Sequence, residues 1–201
     1  MENGEIRTLK QINALNIRIA AEQKGWGERF LPDLMEEGRF CHTLIVSPPG
    51  CGKTTLLRDI VRCLSERMLT VGVVDERGEI APLRDGVPQM DVGMCTDVLE
   101  GCPKAKGMVL LLRSMGPDVI AVDEITAQED CTALLYAGWC GVRLLATAHA
   151  SCHEDLLRRK VYTPLIVNGL FVWDEDEMGK WFWQSDIDPD LVILRSWIEN
   201  N

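Results

Sequence analysis

The chain has 201 residues, 46% hydrophobic and 26% charged, the balance of a soluble globular domain with room for a substantial core. Thirty-one acidic residues against 21 basic ones leave a formal net charge of −10, which argues against a surface built for non-specific nucleic-acid binding. No run approaches the roughly 18 apolar residues of a membrane span, and the polar start Met1-Glu2-Asn3-Gly4-Glu5 is unlike a secretory signal.

Eight cysteines occur without a single Cys-x-x-Cys pair, so they read as reduced cytosolic thiols, mostly buried as small hydrophobes. Cys41-His42 and Cys152-His153 do not have zinc-finger spacing.

Residues 1–40 read as a lead-in to one domain over 41–201, with its core at about 41–160 and a less regular tail at 161–201. Leu15, Ile17 and Ile19 alternate with polar or small residues and predict a strand. Gly25-Trp26-Gly27 breaks it. A helix is expected over Glu28–Glu37, with Pro32 in its first turn and Gly38 ending it.

Thr43-Leu44-Ile45-Val46 then reads as a buried strand, and Leu56 to Leu64 carries apolar residues at helical spacing. Between them lies Ser47-Pro48-Pro49-Gly50-Cys51-Gly52-Lys53-Thr54-Thr55. Strand, tight loop and helix are the context of a phosphate-binding loop. Gly50 and Gly52 let the backbone approach phosphate, and amides from about Gly50 to Thr55, just past Pro49, converge at a helix N-terminus where the dipole favours an anion. Lys53 is expected on the β- and γ-phosphates of ATP and the Thr54 hydroxyl on Mg²⁺. Ser47 stands where the motif has its first glycine.

A second buried strand, Leu69–Val74, delivers the acidic cluster Asp75-Glu76-Arg77-Gly78-Glu79 to its end. Residues 82–107 are rich in Gly, Pro and Asp and read as a long functional or partner-facing loop. A helix follows over Met108–Met115, stopped by Gly116-Pro117. Val119-Ile120-Ala121-Val122 is a third buried strand ending in Asp123-Glu124, a Walker B pattern. Asp123 is expected to hold Mg²⁺, and Glu124 to orient or deprotonate the attacking water. A helix over Glu129–Trp139 and a strand over Val142–Thr147 lead to His149, placed to sense the γ-phosphate. Leu156–Lys160 closes a further helix. Leu170–Trp173 and Lys180–Trp183 are expected to pair as a hairpin around an acidic turn, and Leu191–Trp197 is a further strand or helix.

The phosphate loop, Val74-Asp-Glu-Arg-Gly-Glu-Ile, Asp91-Val-Gly, Thr96-Asp-Val-Leu, Gly101-Cys-Pro-Lys, the run from Arg113 to Ile125, and Ala146-Thr-Ala-His together resemble the stage III sporulation protein AA family. That family is similar to the type II and type IV secretion ATPases. The resemblance covers roughly residues 13–157. It implies an α/β, RecA-like P-loop NTPase with a mainly parallel sheet flanked by helices. It also implies a cytosolic ATP- and Mg²⁺-dependent motor that forms a ring, usually a hexamer, recruited to membrane-embedded channel subunits. By position, Asp75, Glu76 and Glu79 match the acidic box, His149 the histidine box, and Arg113 an arginine placed before Walker B. Glu124, Glu76, His149 and Arg113 are thus the catalytic candidates.

The family usually has arginine where this chain has Cys95 and near Ala127, which shifts attention to Arg77 or Arg113 for charge neutralisation. It also carries an N-terminal domain that supplies arginines across the ring. A nucleotide-regulated scaffold with little hydrolysis is therefore the alternative to a motor. A nucleic-acid motor is disfavoured by the acidic balance, and a small-molecule kinase by the lack of a recognisable lid.

Overall fold

The computed structural model describes Ala14 and residues 22–151, 153–171, 182–184 and 191–196. Its frame is a seven-stranded sheet: β1 (His42–Ser47), β2 (Val71–Asp75), β3 (Thr96–Glu100), β4 (Val119–Val122), β5 (Arg143–His149), β6 (Phe182–Gln184) and β7 (Val192–Ser196). The spatial order is β6-β7-β1-β5-β4-β2-β3. From β1 to β3 all neighbours are parallel, while β7 runs antiparallel to β1 and β6 antiparallel to β7. Parallel pairing carries the C-terminal ends of β1, β2, β4 and β5 to one edge of the sheet, which is where ligands gather in open α/β folds.

The central strands are apolar on both faces because helices cover both. Helices α1 (Trp26–Leu34) and α2 (Lys53–Glu66) lie on one side. There Leu31, Leu57 and Ile60 meet Ile45, Val73, Ala121 and Leu145. Helices α3 (Lys104–Ser114), α4 (Gln128–Trp139) and the short α6 (Thr163–Val167) lie on the other. There Met108, Leu134 and Leu165 meet Leu44, Ile120, Val122 and Leu144. Alternate residues of each strand thus enter opposite cores, as the two-residue period of a strand requires. A short helix α5 (His153–Arg158) follows β5.

Helix α1 is locked to α2 by a polar clamp. The Asp59 carboxylate accepts from the Gly27 amide at 2.7 Å and from Arg62 Nε at 2.8 Å. The other Arg62 nitrogens reach Glu66 (2.6 Å) and Glu28 (3.0 Å). Against the desolvation of its burial, the hydrogen bonds that Arg62 donates to Asp59, Glu28 and Glu66 raise its pKa. Gly27 is the point of closest approach: a Cβ there would lie 2.7 Å from the Asp59 carbonyl carbon.

Several expectations change. Helix α1 begins at Trp26, so Gly25-Trp26-Gly27 opens the helix instead of preceding it, and Gly25 caps it at φ 94°. Pro32 falls near the end of this nine-residue helix, not in its first turn. The helix stops at Leu34, and Gly38 turns a two-residue ladder pairing Met35–Glu36 with Arg39–Phe40. The stretch 82–107 is not one loop. It contains a small ladder (Leu83–Arg84 with Val87–Pro88) and the edge strand β3. In the tail, Leu170 and Phe171 form a bend after α6 (Thr163–Val167), and the hairpin forms between β6 and β7. The strand expected at Leu15–Ile19 and the acidic turn at 174–179 lie outside the described residues. Among the described residues all seven cysteines are free, with Cys41, Cys63 and Cys131 buried and Cys140 exposed. No described helix is long and apolar enough to cross a membrane.

Candidate active site

The site is assembled from the ends of four parallel strands. β1 ends at Ser47, and the chain then turns through Gly50 (φ 87°) and Gly52 (φ 83°) into α2. A side chain at either φ would be strained. Nothing lies within 4 Å of where a Gly50 Cβ would sit, so the loop faces open space on the side a phosphate would approach. A cleft of about 530 Å³ opens there, with Lys53, Thr54, Arg77, Asp123, Glu124 and His149 among its walls. Pro49, Gly50, Gly52 and Thr55 complete the loop side of the cleft. Cys51 does not line it, and its sulfur lies 4.0 Å from the Pro49 carbonyl oxygen.

Lys53 is 5% exposed. Its ammonium donates to Ser47 O (3.0 Å), Pro48 O (2.9 Å) and His149 Nδ1 (2.9 Å), with Ser47 Oγ at 3.3 Å. Ser47, the departure from the glycine motif, thus adds an oxygen to the lysine's cradle. Burial lowers the Lys53 pKa, opposed by the negative charges of the Asp123 and Glu124 carboxylates.

The imidazole of His149 joins the loop to Glu124, just past β4. An ammonium has only protons to offer, so His149 Nδ1 accepts and Nε2 carries the hydrogen. That Nε2 lies 2.9 Å from Glu124 Oε1. Register explains the placement: His149 is the parallel partner of Ser47 across β1 and β5. The other Glu124 oxygen, Oε2, accepts from Arg77 Nη1.

Asp123 ends β4. Its Oδ2 accepts from the Thr54 hydroxyl at 2.7 Å, and its Oδ1 from the Thr147 hydroxyl. Thr147 also fixes the next residue: its Oγ1 accepts from the Glu124 amide at 2.7 Å, and its carbonyl from the Ile125 amide at 2.9 Å. These two bonds hold Glu124 at φ 52°, a left-handed conformation that costs a non-glycine residue about 1–3 kcal/mol.

The acidic box divides by role. The buried Asp75 carboxylate accepts three amides, Glu79 (2.9 Å), Ile80 (3.0 Å) and Ala81 (2.8 Å). Arg58, buried beneath, donates to the Glu79 carbonyl (2.7 Å) and the Ile80 carbonyl (2.5 Å). Asp75 is therefore the brace of the 76–81 loop. Glu76 Oε2 pairs with the buried Lys104 ammonium at 2.6 Å and does not line the cleft with Lys53.

Arg113 does not join this group. It lies at the end of α3, before the start of β4, and lines a separate cavity of about 550 Å³ with Arg39, Asp118 and Arg143. Cys95 also sits at that opposite edge, just before β3, its amide on Ser65 Oγ at 2.7 Å. An arginine there would not reach this chain's own cleft. Ala127 is the N-cap of α4.

Sequence reading did not single out Thr147, Arg58 or Lys104. Thr147 carried a usable signal: it is the one hydroxyl in the apolar strand beside Walker B, and a buried hydroxyl needs a partner. Arg58 and Lys104 act on groups distant in sequence, which no local pattern reveals.

The family profile described as sporulation stage III, protein AA, matches residues 1–174. Stage III sporulation protein AA of Bacillus subtilis (strain 168) is 46% identical over 163 residues, which is 79% of this chain and 53% of that protein. The protein ycf45 of Porphyra purpurea is 31% identical over 151 residues, 74% of this chain and 26% of that one. The chain thus spans about half, or less, of the length of these relatives. Among solved structures, the Legionella pneumophila ATPase DotB superposes with a TM-score of 0.52 at 22% identity, over 76% of this chain and 39% of that one. That likeness concerns the fold, a mainly parallel sheet flanked by helices. On the length and identity of the match, the chain belongs to the sporulation stage III protein AA family.

Proposed function

We propose that the chain is an ATPase: it binds MgATP at the loop 49–55 and hydrolyses it with water oriented by Glu124. The observation that carries this reading is the continuous path Lys53–His149–Glu124, two 2.9 Å contacts through one imidazole. The donor set fits the nucleotide: loop glycines with positive φ, a buried lysine, and a hydroxyl–carboxylate pair at Thr54 and Asp123. Mg²⁺ held by that pair would supply positive charge to the β- and γ-phosphate oxygens. Lys53 would exchange a carbonyl for a phosphate oxygen, and His149 would follow, passing that change to Glu124. Glu76 is held by Lys104, which supports Glu124 over Glu76 as the base.

At the level of the assembly, the reading is a cytosolic ring, usually a hexamer in such ATPases, that energises a sporulation-specific, secretion-like channel through membrane-embedded partners. Two observations favour the scaffold alternative. Every proton of Lys53 already has an acceptor, and the Glu124 carboxylate is held from both sides. Steady-state phosphate release, measured against protein concentration, separates the two. The motor predicts activity that rises steeply as a ring assembles, and Glu124→Gln is expected to retain ATP affinity while losing turnover. Undiminished phosphate release by Glu124→Gln would remove Glu124 from the mechanism. A mass in solution that does not change with MgATP would remove the ring.

A further inference from the structure

We infer that Arg77 is a catalytic arginine supplied in cis, which leaves the Glu124 carboxylate for the γ-phosphoryl group when ATP binds. The inference rests on the ATPase reading above. Among the described residues, Lys53 and Arg77 are the cationic side chains lining the cleft. Each other nearby cation has a fixed task. Arg58 is buried on the carbonyls of Glu79 and Ile80, Lys104 is buried against Glu76, and Arg113 lies at the far edge.

Arg77 differs in two respects. Its side chain is 56% exposed, and its contact with Glu124 uses one nitrogen of a group that has five N–H donors. Its backbone, by contrast, sits in the loop that Asp75 and Arg58 brace from below. A rigid root with a mobile head is what a phosphoryl-clamping arginine needs, because the guanidinium then reaches its target with little ordering of backbone. The pairing with Glu124 makes the exchange reciprocal. A γ-phosphate is a stronger competitor for a planar guanidinium than one carboxylate. Transfer of Arg77 to the phosphate frees Glu124 Oε2 to accept a hydrogen from water.

The step then balances. Water oxygen forms a bond to the γ-phosphorus as the bond from that phosphorus to the β,γ-bridging oxygen breaks. The water proton passes to Glu124, and the electron pair of the broken bond stays on the β-phosphate of ADP. Arg77 and Lys53 offset the charge spread over the γ-phosphoryl oxygens.

The test compares wild type, Arg77→Ala and Arg77→Lys in single-turnover phosphate release, with affinities for ATPγS and for ADP–aluminium fluoride. The expected result is a loss of turnover of about 10²-fold or more in Arg77→Ala. ATPγS affinity should change less than about threefold, and added guanidinium ion should rescue part of the rate. A role exercised only through Glu124 is excluded by repeating the ADP–aluminium fluoride measurement in the Glu124→Gln background. There Arg77→Ala must still weaken binding at least about tenfold. No further weakening in that background, or full turnover in Arg77→Ala, overturns the inference and leaves the ATPase reading standing. A wild type that binds neither nucleotide complex overturns both.

Discussion

Asp75→Asn isolates the brace that holds the acidic box. The carboxylate is 1% exposed, and its two oxygens accept three backbone amides between 2.8 and 3.0 Å. Oδ2 takes Ile80 and Ala81, and Oδ1 takes Glu79. Asparagine can keep its carbonyl on the Ile80–Ala81 side, but its NH₂ then meets the Glu79 N–H, donor against donor. One charge-assisted bond is lost and the other two become neutral. A hydrogen bond to a charged group contributes about 1.5–3 kcal/mol and a neutral one about 0.5–1.5, so the variant should lose about 3.5–6 kcal/mol in total. Urea unfolding followed by tryptophan fluorescence reads this as a lower midpoint at unchanged m-value. If the brace also sets the root of Arg77, phosphate release should fall under conditions where the variant is still fully folded. A stability change below about 0.5 kcal/mol, the range of ordinary surface substitutions, would refute the view that Asp75 supports the loop.

Gly27→Ala should destabilise by about 2 kcal/mol or more, because its Cβ would lie 2.7 Å from the Asp59 carbonyl carbon and force α1 off α2; thermal unfolding checks this, and a Tm within about 1 °C of wild type would contradict it. His42 is 1% exposed, its Nε2 on Arg143 at 3.2 Å and its Nδ1 without a partner. Burial, then the Arg143 charge, lowers its pKa from 6.5 to about 3. The unfolded chain therefore binds the proton first, so this contribution is complete above about pH 6.5 and is lost as pH falls toward 3, reaching about 2 kcal/mol by pH 5. In His42→Asn that slope should vanish from a pH series of urea midpoints, and an unchanged slope would place the titration elsewhere.

The central strands were legible because parallel strands covered on both faces are runs of Val, Ile, Leu and Ala, as in Val119-Ile120-Ala121-Val122. The edge strand β3 was not. Thr96-Asp97-Val98-Leu99-Glu100 is flanked on one side alone, its residues are half-buried or exposed, and it sits inside a stretch rich in Gly, Pro and Asp. The same logic explains Arg113. It precedes β4 by six positions, and in sequence that looks close to Asp123. Yet strand β4 lies between them, so the two are at opposite edges of the sheet. The turn after β1 and the Asp123–Glu124 end of β4 were readable since their geometry is local, a strand end and a turn. The Thr147 brace needed the neighbouring strand, and no spacing along the chain encodes that.

The site violates a local rule at one position, and the violation is instructive. Glu124 occupies a backbone region suited to glycine, at φ 52°. Glycine there would relieve strain of about 1–3 kcal/mol, so the Glu124 carboxylate stands against the backbone's own preference. The strain is held by Thr147, whose hydroxyl and carbonyl grip both amides that flank the Glu124 carbonyl, while the same hydroxyl donates to Asp123. One buried threonine therefore sets the aim of both Walker B carboxylates at once. That arrangement ties Glu124, proposed to orient water, to Asp123, proposed to hold the metal: neither can shift without disturbing the other. A loop that merely gripped phosphate would have no need of the coupling, which supports the proposed hydrolysis over passive binding.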